Sequence, residues 1–323
     1  MAADGGLVAP LRFIDRDEVA ARLTMPRAIA IVRTAIIVLS NRETRQTLRE
    51  IIPLSEGRMF GIMPGTLGDR AAFGAKLISI YSDNPAHGLQ SHQGLVVMFE
   101  PERGLPVACL HAGEITAIRT AAASAVATDA LARRDATRLA ILGTGEQAVA
   151  HAHAIAAVRL ITHIRVWGRS PDKAAAVAAR IGAALGIPAS AHAGVAETVA
   201  DADIICTVTS AEEPVLTSGM VAPGTHTNLV GSSHAGPREI DDALVVRVRM
   251  IADYRPGVLA QGAEFLHARA AGLVDDSHVV GEIGDVLAGR LSGREAATQV
   301  TAYKSLGHVV QDLACARALM DDD

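Results

Sequence analysis

The sequence predicts an α/β protein in two parts, a doubly wound parallel sheet and a smaller α+β unit built on a mainly antiparallel sheet. Three observations carry that expectation. From about residue 138 to 253, short apolar runs alternate with helical segments, the pattern of consecutive βαβ units. That region opens on Arg138-Leu-Ala-Ile-Leu-Gly-Thr-Gly-Glu-Gln-Ala148, where an apolar run passes through glycines into an alanine-rich segment. Upstream, residues 48 to 110 hold β-type runs separated by polar turns rich in Gly and Pro.

Taken in order, Phe13-Ile-Asp-Arg-Asp-Glu-Val19 reads as a strand followed by a capped helix, and residues 25 to 39 continue in helical period. Leu48-Arg-Glu-Ile-Ile-Pro-Leu54 and Arg58-Met-Phe-Gly-Ile-Met-Pro64 flank Ser55-Glu56-Gly57, a hairpin signal. Runs at 74–81, 94–99 and 105–110 extend the same sheet. A long alanine-rich helix follows from Glu114 to about Leu131, with Thr116, Arg119 and Thr120 on one face of its N-terminal end. On composition alone, Arg119 there reads as a solvated surface charge rather than an anion clamp.

Beyond the glycine-rich turn, strands are expected at 164–167, 189–193, 204–209, 225–230 and 250–253, with helical segments at 171–185 and 196–202. A last strand at 299–303 precedes an amphipathic helix from Leu306 to Met320, which crosses back to the first unit. Glu56, Asp83, Glu100 and Glu102 fall at turns and read as ordinary solvated charges.

The glycine-rich turn carries a physical mechanism. Gly143 makes the tight turn, Gly145 admits a phosphate to the backbone, and Ala148 lets the helix pack against the strand. The helix starting at Glu146 aims its N–H groups at a pyrophosphate. The expected dinucleotide contacts are Gly143, Thr144, Gly145, Glu146 and Gln147. After the second strand the chain reads Trp167-Gly-Arg-Ser170, with no acid before Asp172 to bind the ribose hydroxyls. Arg169 and Ser170 are therefore expected to hold a 2′-phosphate, which favours NADPH. If Arg169 only stacks on an adenine, NADH is also accepted.

Composition narrows the classes. The 323 residues suit two domains, and with 50% hydrophobic but only 3% aromatic residues the core must be filled by Ala, Val, Leu and Ile. Net charge is −5 with no basic block, which argues against nucleic-acid binding. Cys109, Cys206 and Cys315 are isolated in apolar stretches, so they are expected as buried thiols in a reducing compartment, with no metal site. The chain has no uninterrupted apolar run of about 20 residues and no basic-then-apolar N-terminus. A cytoplasmic protein without membrane contact is expected.

Five segments together resemble the ornithine cyclodeaminase and mu-crystallin family: Glu114-Ile-Thr-Ala-Ile-Arg-Thr-Ala-Ala122, Leu142-Gly-Thr-Gly-Glu-Gln-Ala148, Val221-Ala-Pro-Gly-Thr-His226, Gly281-Glu-Ile-Gly-Asp-Val-Leu-Ala-Gly-Arg290 and Lys304-Ser-Leu-Gly307. The resemblance spans about residues 45 to 318. It implies a homodimer, with residues 1–118 and 306–323 as a substrate-binding and dimerisation domain and 119–305 as an NAD(P)-binding Rossmann domain. It also implies a substrate that is an amino acid, an imino acid or a cyclic imine bearing a carboxylate. Arg49, Lys76 and Arg119 are then the cations that hold the carboxylate, which replaces the surface reading of Arg119. Thr120, Thr209 and Ser232 join the expected cofactor contacts.

Within that resemblance, Ser233 stands where cyclodeaminases and the family's alanine dehydrogenases place an aspartate. A serine is no anionic base at neutral pH, so ammonia elimination loses its proton acceptor. The segments Ser91-His-Gln93 and Phe99-Glu-Pro101 also point to the mu-crystallin-like ketimine reductase branch. The expected reaction is NADPH-dependent reduction of a cyclic imine such as pyrroline-2-carboxylate or piperideine-2-carboxylate to the L-amino acid. Lys76 and His92 are the candidates to supply or hold a proton, and Ser233 to bond the ring nitrogen; His234 either touches substrate or faces solvent. Asp312 is expected near the nicotinamide. The alternatives are an ornithine cyclodeaminase-type lyase with bound NAD, an open-chain amino acid or imine dehydrogenase, and a non-enzymatic protein that binds NADPH and a small ligand.

Overall fold

The computed structural model describes residues 10 to 321 except Glu56. The turn charge expected at Glu56 and the tail residues Asp322 and Asp323 therefore lie outside the described residues. The first sheet contains β1 (Arg12–Ile14), β2 (Arg45–Gln46), β3 (Glu50–Pro53), β4 (Met59–Thr66), β5 (Phe73–Ile80), β6 (His92–Phe99) and β7 (Pro106–His111). Its order is β1-β7-β6-β5-β4-β2, with β3 also beside β4, and every pairing is antiparallel except β1 with β7. Alternation along these strands turns Met63, Lys76, Ile78, Val96, Met98 and Leu110 into the core. The opposite face presents Phe13, Phe73 and Phe99, the last two stacked at 5.3 Å between ring centroids.

Cys109 also lies on that outer face and is half-buried, so the expectation of three buried thiols holds for Cys206 and Cys315 only. Period-2 alternation puts it opposite Ala108 and Leu110, whose side chains are in the core. Glu100 lies at a turn as expected, and its carboxylate accepts backbone N–H bonds from Glu102, Arg103 and Leu105 and so braces the β6–β7 turn. Asp83 pairs with Arg58 at 3.0 Å.

The second sheet is parallel throughout. It contains β8 (Arg138–Leu142), β9 (His163–Trp167), β10 (Ala189–Ala191), β11 (Ile204–Thr207), β12 (His226–Leu229), β13 (Arg249–Ala252), β14 (Val279–Glu282) and β15 (Thr301–Lys304). The order is β10-β9-β8-β11-β12-β15-β13-β14, so the chain reverses its winding direction between β8 and β11. That reversal opens a crevice at the carboxyl ends of the strands. Edge strand β14 was not expected, since Val279-Val-Gly-Glu282 is too short to announce itself.

The helices are α1 (Arg16–Arg22), α2 (Met25–Ser40), α3 (Ala112–Leu131), α4 (Glu146–Ala156), α5 (Pro171–Leu185), α6 (Val195–Val199), α7 (Asp242–Arg247), α8 (Arg255–Gln261), α9 (Ala263–Ala270), α10 (Ile283–Leu287) and α11 (Val309–Met320). Helix α1 has the expected cap, Asp15 accepting from the Glu18 N–H at 2.9 Å. Helix α3 runs unbroken through position 118 and is buried on every side from Arg119 to Thr128. It packs on strands of both sheets, and its alanines permit the close approach that an aromatic-poor core requires. Helix α11 returns beneath β4, β5 and β6, which brings its first turn against the inner face of the antiparallel sheet.

Candidate active site

The glycine-rich turn folds as its residues demand. Gly143 has φ +136, and a Cβ there would lie 2.6 Å from the Val208 carbonyl oxygen. Gly145 caps α4 with no side-chain bond, and a Cβ on it would meet nothing, so this backbone faces open space. The first turn of α4 has no side-chain cap and can present N–H groups to an anion, with Thr144, Glu146 and Gln147 around it. These residues fit the phosphates of a dinucleotide. Beyond β9, Arg169 is exposed and makes no hydrogen bond or ion pair among the described residues, and Ser170 caps α5 by accepting from the Lys173 N–H.

Three cations expected together from distant segments do converge. Lys76 on β5 is 2% exposed, and its Nζ lies 3.1 Å from Asp312 Oδ1. Arg119 on α3 is equally buried, with Nε 3.0 Å from the same oxygen and Nη1 donating to Gln311 Oε1 at 3.1 Å. Arg49 donates to the Ser233 carbonyl at 3.1 Å, to Ser233 Oγ at 3.4 Å and to the Leu306 carbonyl at 2.7 Å. Asp312, expected near the nicotinamide, bridges two of the cations. Thr120 is buried next to Arg119 on α3.

The electrostatics follow from this crowding. Burial lowers Lys76 to about 7, with Asp312 opposing the shift and Arg119 and Arg49 adding to it. Arg49 falls to about 10, from burial and the Arg119 charge. His92, at the start of β6, accepts or donates at 2.9 Å with Ser91 Oγ. Burial followed by repulsion from Lys76, Arg49 and Arg119 lowers it to about 4, so its ring is neutral near pH 7. His234 is half-buried and lowered by burial, then by Arg49 and Lys304. Burial alone would raise Asp312, but Arg119 and Lys76 hold it below the usual carboxylate range.

Four further groups escaped the sequence reading, and they hold the strand-end loops in place. Asp253, at the end of β13, accepts from the N–H groups of Leu306 and Gly307 at 2.8 and 2.6 Å. It thereby sets the carbonyl that Arg49 uses. Burial raises Asp253 to about 6, against the pull of those N–H donors. Glu239 accepts from the N–H groups of Thr209 and Gly231, both at 2.7 Å, tying the loops after β11 and β12 together. Lys304 lies 2.7 Å from Glu264 and donates to Ser232 Oγ at 2.6 Å, so the expected cofactor contact Ser232 has its hydroxyl engaged in a buried network. Thr209 Oγ1 likewise donates to Glu239 at 2.8 Å. Only the Lys304-Ser-Leu-Gly307 motif hinted at this network, and it gave no partners.

Fold and site together define a Rossmann-type α/β protein in which the carboxyl ends of the parallel strands face a buried, carboxylate-bridged cation cluster. The chain belongs to the ornithine cyclodeaminase/mu-crystallin family, whose sequence pattern it matches over residues 12–322. It is 32% identical over 301 residues to a Delta(1)-pyrroline-2-carboxylate reductase of Bacillus cereus, covering 93% of this chain and 92% of that protein. It is 32% identical over 277 residues to the ketimine reductase mu-crystallin of Mus musculus, covering 85% and 84%. The Thermococcus litoralis Delta(1)-pyrroline-2-carboxylate reductase, solved in complex with NADH and L-proline, superposes with a TM-score of 0.93 at 31% identity, over 96% of this chain and 97% of that one.

Proposed function

We propose that this protein is an oxidoreductase that reduces the carbon–nitrogen double bond of a cyclic imino acid, of the pyrroline-2-carboxylate or piperideine-2-carboxylate type, to the L-amino acid. The observation that carries the reading is the charge of the buried cluster. With Lys76 protonated, Arg49, Lys76 and Arg119 face Asp312 and Asp253 as three positive groups against two negative, which leaves a surplus matched by one carboxylate. Two of the relatives named above are pyrroline-2-carboxylate reductases, and the third is a ketimine reductase.

The Gly143–Gln147 turn and the N-terminus of α4 would hold a reduced nicotinamide dinucleotide, which would supply the hydride. The chain's own residues do the rest. Arg49 and Arg119 orient the carboxylate. Hydride addition at the imine carbon leaves the nitrogen needing one proton unless the imine enters protonated. Lys76, lowered to about 7, can hold and release that proton near neutral pH, whereas His92, lowered to about 4, is neutral there and can only hydrogen-bond. Ser233 places a hydroxyl, not a carboxylate, beside Arg49, so this position offers no base for ammonia elimination.

NADPH is the preferred dinucleotide in this reading, supported by the unpaired Arg169 just beyond β9 and by the lack of an acid before Asp172. The antiparallel sheet with α11 forms the substrate and dimerisation side. The homodimer is supported by the outer face of that sheet, where Phe13 is 60% and Ile52 49% exposed. No single helix among the described residues is long and apolar enough to cross a membrane, and unpaired cysteines suit a cytoplasmic setting.

The test is NADPH oxidation with both cyclic imines, with pyruvate plus ammonia or methylamine, and with ornithine. Stoichiometric oxidation with the cyclic imines is expected. Ammonia release from ornithine without net cofactor oxidation would refute the proposal.

A further inference from the structure

Among the described residues, buried side-chain atoms without a hydrogen-bond partner are concentrated around the first turn of α11. They include both ring nitrogens of His308, Asp312 Oδ2 and both amide atoms of Gln46. Protein interiors pair nearly all such atoms, so a local concentration marks a place where something polar is bound.

The backbone puts these groups beside the cation cluster. His308 is 3% exposed and follows Gly307, whose left-handed φ of +77 and missing side chain make room for Arg119; a Cβ there would lie 2.6 Å from Arg119 Nη1. Gln311 spends its oxygen on Arg119, and its side chain also bonds Tyr303. Gln46 stands opposite Gly65 across the β2–β4 pair, and a Cβ on Gly65 would touch both Val309 and the Gln46 Cβ. Gln46 therefore reaches the same first turn from the sheet side. Burial and then Arg119 lower His308 to about 3 despite Asp312, so its ring is neutral and offers one donor and one acceptor.

A simple cyclic imino acid does not use these groups. Its carboxylate is matched by the surplus charge of the cluster, and its ring carbons form no hydrogen bonds. A second anion would exceed that surplus, whereas a neutral hydroxyl both donates and accepts, as His308 does.

We propose that His308, with Gln46 and Gln311 beside it, is a specificity-determining residue that recognises a hydroxyl on the substrate ring, so that the favoured substrate class is a hydroxylated cyclic imino acid. This rests on the imine-reductase reading above.

The test compares pyrroline-2-carboxylate with its 4-hydroxy analogue by kcat/KM, and L-proline with the 4-hydroxy-L-proline diastereomers by calorimetry with NADP⁺ present. The wild-type protein is expected to favour one hydroxylated member of each set by about ten-fold or more. His308→Leu should remove that preference, chiefly through KM, and His308→Asn, which keeps a donor and an acceptor, should retain most of it. Without ligand, His308→Leu should also raise Tm, because hydrocarbon replaces an unpaired buried ring. An equal preference in wild type and His308→Leu, or none in wild type, would mean that these groups hold only water and would overturn the assignment. Reduction of the unsubstituted imine alone sinks only the hydroxyl assignment; reduction of neither imine sinks the reductase reading with it.

Discussion

Asp312→Asn separates the charge of the bridging carboxylate from its shape. In the native protein one oxygen lies 3.1 Å from Lys76 Nζ and 3.0 Å from Arg119 Nε. With an effective dielectric constant of about 20, an ion pair at that distance is worth ~5 kcal/mol before relaxation. Even if only a quarter of this survives rearrangement, the loss is ~1.3 kcal/mol, or about one pKa unit on Lys76. The direction is downward, because Asp312 is the group that opposes the lowering of Lys76.

If Lys76 supplies the proton, the rate falls as pH rises through its pKa, and the variant should show that limb at least one unit below the native one. The assay is kcat against pH for imine reduction. Ionisation of the imine itself occurs with both proteins, so the difference between the profiles isolates the enzyme group. The variant should also lose about 3–5 kcal/mol of stability in denaturant unfolding, since two buried cations lose their partner. A folded variant whose pH limb coincides with the native one would refute Lys76 as the group that titrates.

Two other outcomes follow from the same geometry. Lys76 titrates near 10.5 when unfolded and near 7 when folded, so between those values only the unfolded chain holds the proton and stability rises with pH. The difference in unfolding free energy between wild type and Lys76→Met should therefore climb from pH 7 to 10.5 without ligand; a flat difference argues against the lowered value. Arg169→Ala should narrow the gap between NADPH and NADH about ten-fold, read from kcat/KM for each cofactor. An unchanged ratio removes the 2′-phosphate argument.

Local sequence was enough for the parts of this protein whose physics is local. Gly143, Gly145 and Ala148 announce a strand, a tight turn and a helix because backbone sterics act within a few residues, and the structure places them so. Alternating strands and helices announced the parallel sheet for the same reason. The order of that sheet was another matter: β15 slides between β12 and β13, and β14 adds an edge, because pairing depends on contacts far apart in the chain. Arg119 shows the difference most clearly. Its neighbours in sequence are small residues that suit a surface helix, and only family resemblance moved it to the site. Its burial is decided by Asp312 and Gln311, nearly two hundred residues away, on a helix that returns under the first sheet. Asp253, Glu239 and Glu264 carry no local signature at all, since a buried carboxylate is defined by the N–H groups and cations that tertiary folding brings to it.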